Sequence, residues 1–232
     1  MKAIIKRGIR FWEGEVSFGL FLMMVLISNF VMMPLSATYK IGGMLAAFFW
    51  FFLVVAGAYV IIKKNILRYS VIGFVLMTLI LFIYGWGREM LWLDIVERIS
   101  QIIFLFIFSG LILVKVFEGG VVNIRRILGA IAAYLMLGNI FFSAYYLVYL
   151  AEGPGAFSMQ EGDIASQFMY YSYVTLTSTG YGDILPVSSA ARAICNIESI
   201  MGQLYPAILI ARLISLETAA KSNDNSNITP NE

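Results

Sequence analysis

The stretch TLTSTGYGDILP, Thr175 to Pro186, is a polar, glycine-rich interruption in a chain of 232 residues of which 60% are hydrophobic. Within it Gly180 and Gly182 bracket Tyr181. Glycine reaches positive φ at no steric cost, so this run can alternate its backbone hand and turn successive carbonyls the same way. A column of carbonyl oxygens is what a dehydrated cation needs in place of water. Side-chain chemistry is scarce by comparison. The chain has no histidine and one cysteine, Cys195, which removes the commonest metal ligand, general base and near-neutral pH sensor and allows no intrachain disulfide. There is no carboxylate pair at matched depth and no nucleophile with a base, so neither an enzyme nor a cofactor is expected.

With only 13% charged residues, no polar surface can cover this chain, and it is expected in a bilayer as an all-α protein. A span takes about 20 helical residues. Six stretches qualify: Val16 to Leu35, Ile41 to Ile62, Ile66 to Tyr84, Leu91 to Val116, Ile127 to Leu150 and Ala193 to Ala211. With the N-terminus inside, twelve of the 16 basic residues fall on the cytoplasmic side, which favours both termini there. The basic lead-in MKAIIKRGIR lacks a cleavage pattern and reads as mature, interfacial sequence. This orientation puts Glu152, Glu161, Asp163 and Asp183 outside.

Between the fifth and sixth spans, AEGPGAFSMQEGD (151 to 163) reads as an exposed loop, and Asp163 as the N-cap of a helix over IASQFMYYSYVT, 164 to 175. That helix is too short to cross, so the chain must enter and return by one face. Non-helical backbone at this depth is tolerated only where it lines water or ions.

The segment STGYGD resembles the signature of the potassium-channel family, and the resemblance covers roughly Ile127 to Leu216. It implies six spans with a re-entrant pore helix and filter between the fifth and sixth. The potassium-channel filter is a standard example of carbonyl rings replacing an ion's hydration shell. By the resemblance, the carbonyls of Thr179, Gly180 and Tyr181, with the carbonyl and hydroxyl of Ser178, hold potassium as the permeant ion; Gly182 closes the run and Asp183 sits at its outer mouth. Four identical chains are implied, since one loop cannot enclose an axis. Tyr170 and Tyr171 match the aromatic pair that braces the filter, with Tyr171 expected to donate to Asp183; Thr175 and Thr177 belong to the same support. Gly202, 19 residues after Asp183, takes the place of a hinge glycine, and Pro206 would weaken the same turn. Gln203 is a cavity-lining candidate. Three readings of Glu198 stay open: a hydrogen bond to Thr175 or Thr177, a protonated acid, or an acid sensor. Ser178 and Thr179 stand where the family usually has threonine and valine, which leaves every carbonyl in place.

These readings divide the chain into an N-terminal lead-in (1–15), a four-helix transmembrane domain (16–118), a pore domain (119–217) and a disordered cytoplasmic tail (218–232). The pore domain holds an outer helix (121–150), pore helix (164–176), filter (177–183) and inner helix (189–216). No regulatory domain is expected after Leu216. From Arg98, steps of three reach Gln101, Phe104, Ile107 and Gly110, so the fourth span has no arginine ladder and strong voltage gating is not expected. Asp94, Glu97 and Arg98 are expected to pair with one another or to cap that span. A poorly selective cation channel is the weaker version of this reading; a secondary transporter would show an internal repeat. The expected partners are three further copies and membrane lipid in a multi-pass cell-membrane setting, with no nucleic acid.

Overall fold

The computed structural model describes residues 15–32, 35, 40–61, 65–85, 90–118 and 122–228. Among these, helix α1 (Glu15–Ile27) continues into a π-helical turn, Ser28–Met32, and is followed by α2 (Lys40–Ile61), α3 (Asn65–Gly85) and α4 (Leu91–Phe117). The second half holds α5 (Ile124–Glu152), a 3-10 turn (Pro154–Ala156), β1 (Phe157–Ser158), α6 (Ile164–Leu176), β2 (Leu185–Pro186) and α7 (Ser189–Ile228). Three of the described helices, α4, α5 and the Ser189–Thr218 part of α7, are long and apolar enough to cross a membrane. The α2 and α3 helices lie where the second and third spans are expected. The expected lead-in, 1–15, falls outside the described residues except for Glu15.

Helix ends follow local chemistry. At α5, the Asn123 side chain accepts the Arg126 amide, and Gly153, at φ 81°, returns its own N–H to the Tyr149 carbonyl. Asp163 caps α6 by accepting the Ser166 amide at 2.7 Å, as the sequence predicts. Ser188 does the same for α7 through Ala191 at 3.1 Å.

Two apolar clusters share α5. One side of it packs with Phe21 of α1, Val54 of α2 and Phe104, Phe108 and Ile112 of α4. Its other end, through Phe142 and Tyr145, packs with Phe157, Phe168, Tyr171 and Ile184. A two-residue antiparallel ladder, Phe157 opposite Pro186 and Ser158 opposite Leu185, ties the loop after α5 to the chain leaving the 177–183 run. The amides of Val187 and Ser188 both reach the Ala156 carbonyl.

Two expectations change. The 151–163 segment is not a simple exposed loop: it begins as helix, turns once, and buries Ala156 and Phe157. The segment expected to be disordered from residue 218 is helical as far as Ile228. Composition counted its polar residues, but Glu217, Ala219, Ala220 and Lys221 are good helix formers. No glycine or proline stands between Pro206 and Pro230 to stop a helix already nucleated.

Candidate functional site

In the run after α6, positive φ recurs at every second residue: Ser178 at 57°, Gly180 at 60° and Gly182 at 78°. Alternation at Gly180 and Gly182 was foreseen; Ser178 adds a third member, at a residue with a Cβ that resists this conformation. An added Cβ at Gly180 or Gly182 would meet nothing within 4 Å, so backbone hand, and not room within the protomer, demands glycine there. Residues 177–183 are all exposed in the single chain. The run is sewn to the end of α6 by amides: Ser178 to the Thr175 carbonyl at 2.9 Å, and Thr179 and Gly180 both to the Val174 carbonyl, at 2.9 and 3.3 Å.

Its hydroxyls are committed. Thr177 donates to the Tyr173 carbonyl at 2.7 Å and lies 2.8 Å from the Thr179 hydroxyl, which therefore supplies the proton between them. The hydroxyl that Thr179 adds has thus found its partner. Gln203 donates to Ser178 Oγ at 3.3 Å, which sets this exposed residue of α7 beside the start of the run.

The aromatic brace differs from expectation by one residue. The hydroxyl of Tyr170, not Tyr171, faces the Asp183 carboxylate, and the Tyr170 ring lies parallel to that of Tyr181 with centroids 6.4 Å apart. Tyr171 is turned into the core, where it donates to Cys195 Sγ at 3.2 Å and faces the Thr175 hydroxyl. Neighbours on a helix are separated by about 100° of turn, so only one of the two can look toward Asp183.

Glu198 is fully buried. Its partners are not Thr175 or Thr177 but Tyr145, which donates to Oε2, and Ser172, whose Oγ lies 2.5 Å from Oε1. One turn later, Gly202 lets α7 come against the end of α6: a Cβ there would stand 2.0 Å from the Leu176 carbonyl oxygen. Close approach is thus a sufficient reason for this glycine, apart from any hinge. Pro206 lies within the continuous helix α7 and leaves the Gly202 carbonyl without its helical donor.

The sequence reading missed several side chains that hold α6 in place. Tyr134 donates to the Leu176 carbonyl at 3.1 Å. Tyr173 donates to the Leu135 carbonyl at 2.9 Å and accepts from Asn29, in the π-helical turn after α1, at 2.6 Å. Gly138 permits the crossing, since a Cβ there would meet the Tyr173 ring at 2.8 Å. One available signal was the tyrosine pair 134 and 145, three turns apart and so on one face of α5. On α4, Arg98 acts electrostatically on Glu97 of its own helix, one of the acids it was expected to pair with. Its guanidinium lies over the rings of Tyr146 and Phe142, 4.4 and 5.2 Å from their centroids, and donates to Gln101 at 3.0 Å.

The family comparison falls on the same half of the molecule. Residues 130–218 match the sequence model of the ion channel family. Over 90 residues, 39% of the chain, it is 30% identical to two-pore potassium channel 1 of Arabidopsis thaliana, covering 23% of that protein. Over 80 residues, 32% of the chain, it is 30% identical to protein LctB of Geobacillus stearothermophilus, covering 59% of it. The chain thus spans under a quarter of one relative's length and about three fifths of the other's. No solved structure matches it.

Proposed function

We propose that residues 130–218, which match the ion channel family, form a pore domain of the potassium-channel type, and that four copies of this chain assemble a potassium-selective pore that conducts down the ion's gradient. The observation that carries this is the alternation of positive φ at Ser178, Gly180 and Gly182, on a segment exposed from 177 to 183 and held by the end of a helix too short to span. Alternating hand faces successive carbonyls to one side, and four such strands around an axis make a dehydrated cation's cage.

In this reading Ser178, Thr179, Gly180 and Tyr181 coordinate potassium. The Ser178 hydroxyl stays with Gln203 at the inner end, and Asp183 marks the outer mouth beside Tyr170. Because Thr179 gives its hydroxyl to Thr177, its replacement of an apolar residue adds no competing ligand, which supports potassium selectivity over the poorly selective alternative. The pore sits in the cell membrane with six spans and both termini cytoplasmic, and bending at Gly202 to Pro206 opens its inner end. A single arginine stacked on aromatic rings in α4 gives the membrane field little to move, about 2.3 kcal/mol per charge per 100 mV, so gating is not strongly voltage-dependent.

The test is purified protein in liposomes with mixed potassium and sodium gradients. A reversal potential following the potassium gradient is expected; one midway between the two ions would replace this reading with a poorly selective pore, and no flux would reject conduction.

A further inference from the structure

Among the described residues, the deepest polar junction lies behind the 177–183 run, where Glu198 of α7 meets Ser172 of α6 and Tyr145 of α5, and its protons can be counted. Ser172 Oγ stands 2.8 Å from the Gly138 carbonyl oxygen and 2.5 Å from Glu198 Oε1. A backbone carbonyl has no proton to give, so the one proton of Ser172 belongs to Gly138. The contact with Glu198 then needs a proton from the carboxyl; without it, two acceptors would stand face to face at 2.5 Å. Tyr145 donates to the other carboxyl oxygen, Oε2.

We propose that Glu198 is a neutral carboxylic acid, a positioning residue that accepts from Tyr145 and donates to Ser172, so that one proton pins the outer, pore and inner helices together behind the filter. The proposal rests on the reading of α5 to α7 as an ion pore. Every donor in it has a single direction: Tyr145 to Glu198, Glu198 to Ser172, Ser172 to the Gly138 carbonyl. The circuit begins and ends on α5, and aligned chains of this kind strengthen one another in a dry interior.

Solvation points the same way. Glu198 has no exposure at all. Among the described residues, the titratable groups that interact with it are Tyr134 and Tyr145 on α5 and Tyr171 and Tyr173 on α6, with Cys195 nearby on its own helix packed in the same cluster, and no cation is among them. An ionised carboxylate would lie in apolar surroundings with no counter-charge among these groups. Placement gives the junction its leverage. Ser172 and Leu176 are one turn apart on α6, Glu198 and Gly202 one turn apart on α7, and the two pairs meet in register. Removing the proton turns a donor into a second acceptor and opens the upper of these two contacts.

The test uses the full chain reconstituted in liposomes and compares wild type with E198Q, whose amide can accept from Tyr145 and donate to Ser172. Infrared difference spectra at neutral pH are expected to show a carboxylic-acid carbonyl stretch that E198Q lacks and that fades as pH is raised. Potassium flux through E198Q is expected within about twofold of wild type at neutral pH, a difference smaller than the loss of one hydrogen bond would give. At alkaline pH wild type should lose flux while E198Q does not, and since both keep the same tyrosines and cysteine, that contrast isolates the carboxyl. A purely carboxylate signal at neutral pH overturns the proposal, as does an assembled E198Q that has lost flux. If E198Q fails to assemble, the spectrum of wild type against E97Q, which removes the half-buried carboxyl of α4, decides: a protonated-acid band surviving in E97Q supports the proposal and its absence overturns it. If no variant carries potassium, the infrared result still stands and the channel reading alone falls.

Discussion

Polar groups within apolar helices are handled differently in the two halves of this molecule. In α5 to α7 they bond across elements: Tyr134 to Leu176, Ser172 to Gly138, Tyr145 to Glu198, Tyr205 of α7 to Ala130 of α5. In α3 and α4 they mostly bond within their own helix: Thr78 to Val75, Ser100 to Val96, Arg98 and Glu97 to Gln101. Ser109 of α4, buried, has no hydrogen-bond partner among the described residues. Cross-element bonds fix the mutual geometry of helices, whereas bonds within a helix leave neighbours free to be any well-packed apolar surface. The half that matches the ion channel family is the half whose geometry is specified; the helices before it read as packing around it, although Asn29, in the π-helical turn after α1, hydrogen-bonds Tyr173 of α6 and Ser143 of α5 meets Gln101 of α4.

The sharpest break in that comparison comes from glycine replacements. Gly180→Ala forces a Cβ into φ 60°, costing about 1–2 kcal/mol in each copy, and is expected to abolish potassium flux with the helical circular dichroism signal unchanged. Gly110→Ala on α4, where a Cβ meets nothing within 4 Å, is expected to leave flux intact.

Next in size is a pair of crowded sites. Gly202→Ala drives a Cβ against a backbone carbonyl, which cannot yield, and is expected to destabilise the assembled protein by about 3 kcal/mol, the upper end for overpacking. Gly57→Ala on α2 meets the far edge of the Phe108 ring at 2.3 Å, and a ring can swing; about 1 kcal/mol is expected. Thermal melts of the detergent-solubilised protein measure both, and equal losses would erase the contrast between the halves.

Much of this was legible in the sequence, and the limits are physical. Gly180 and Gly182 announced the alternating backbone because only glycine adopts positive φ freely, and Asp163 announced its helix because capping acts over three residues. The partners of Glu198 were not legible: Tyr145 and Ser172 lie 53 and 26 residues away in sequence, and helix crossing alone brings them together. The choice between Tyr170 and Tyr171 turned on helix phase, which a one-residue uncertainty in where α6 starts reverses. The helical continuation past residue 218 was hidden because composition averages polar residues over good helix formers.

The aromatic brace provides a smaller effect. Tyr170→Phe removes the hydroxyl facing Asp183 and is expected to hasten the decline of current during sustained opening. Tyr171→Phe removes contacts with the Cys195 sulfur and the Thr175 hydroxyl, away from Asp183, and should change the decline less; the reverse order would return the brace to Tyr171. Smallest is Asn29→Leu, which leaves the Tyr173 hydroxyl with its donor bond to Leu135. A loss of about 0.5–1 kcal/mol in thermal stability is expected, with potassium selectivity retained. A change in selectivity would mean that the first helix belongs to the specified half.

The most direct measurement is anomalous diffraction from crystals of the full chain grown in thallium or rubidium in place of potassium. The account predicts a row of peaks on a four-fold axis, level with the carbonyl oxygens of Ser178, Thr179, Gly180 and Tyr181. A protomer with no symmetry axis at that run, or peaks absent from an axis that the oxygens face away from, would contradict it.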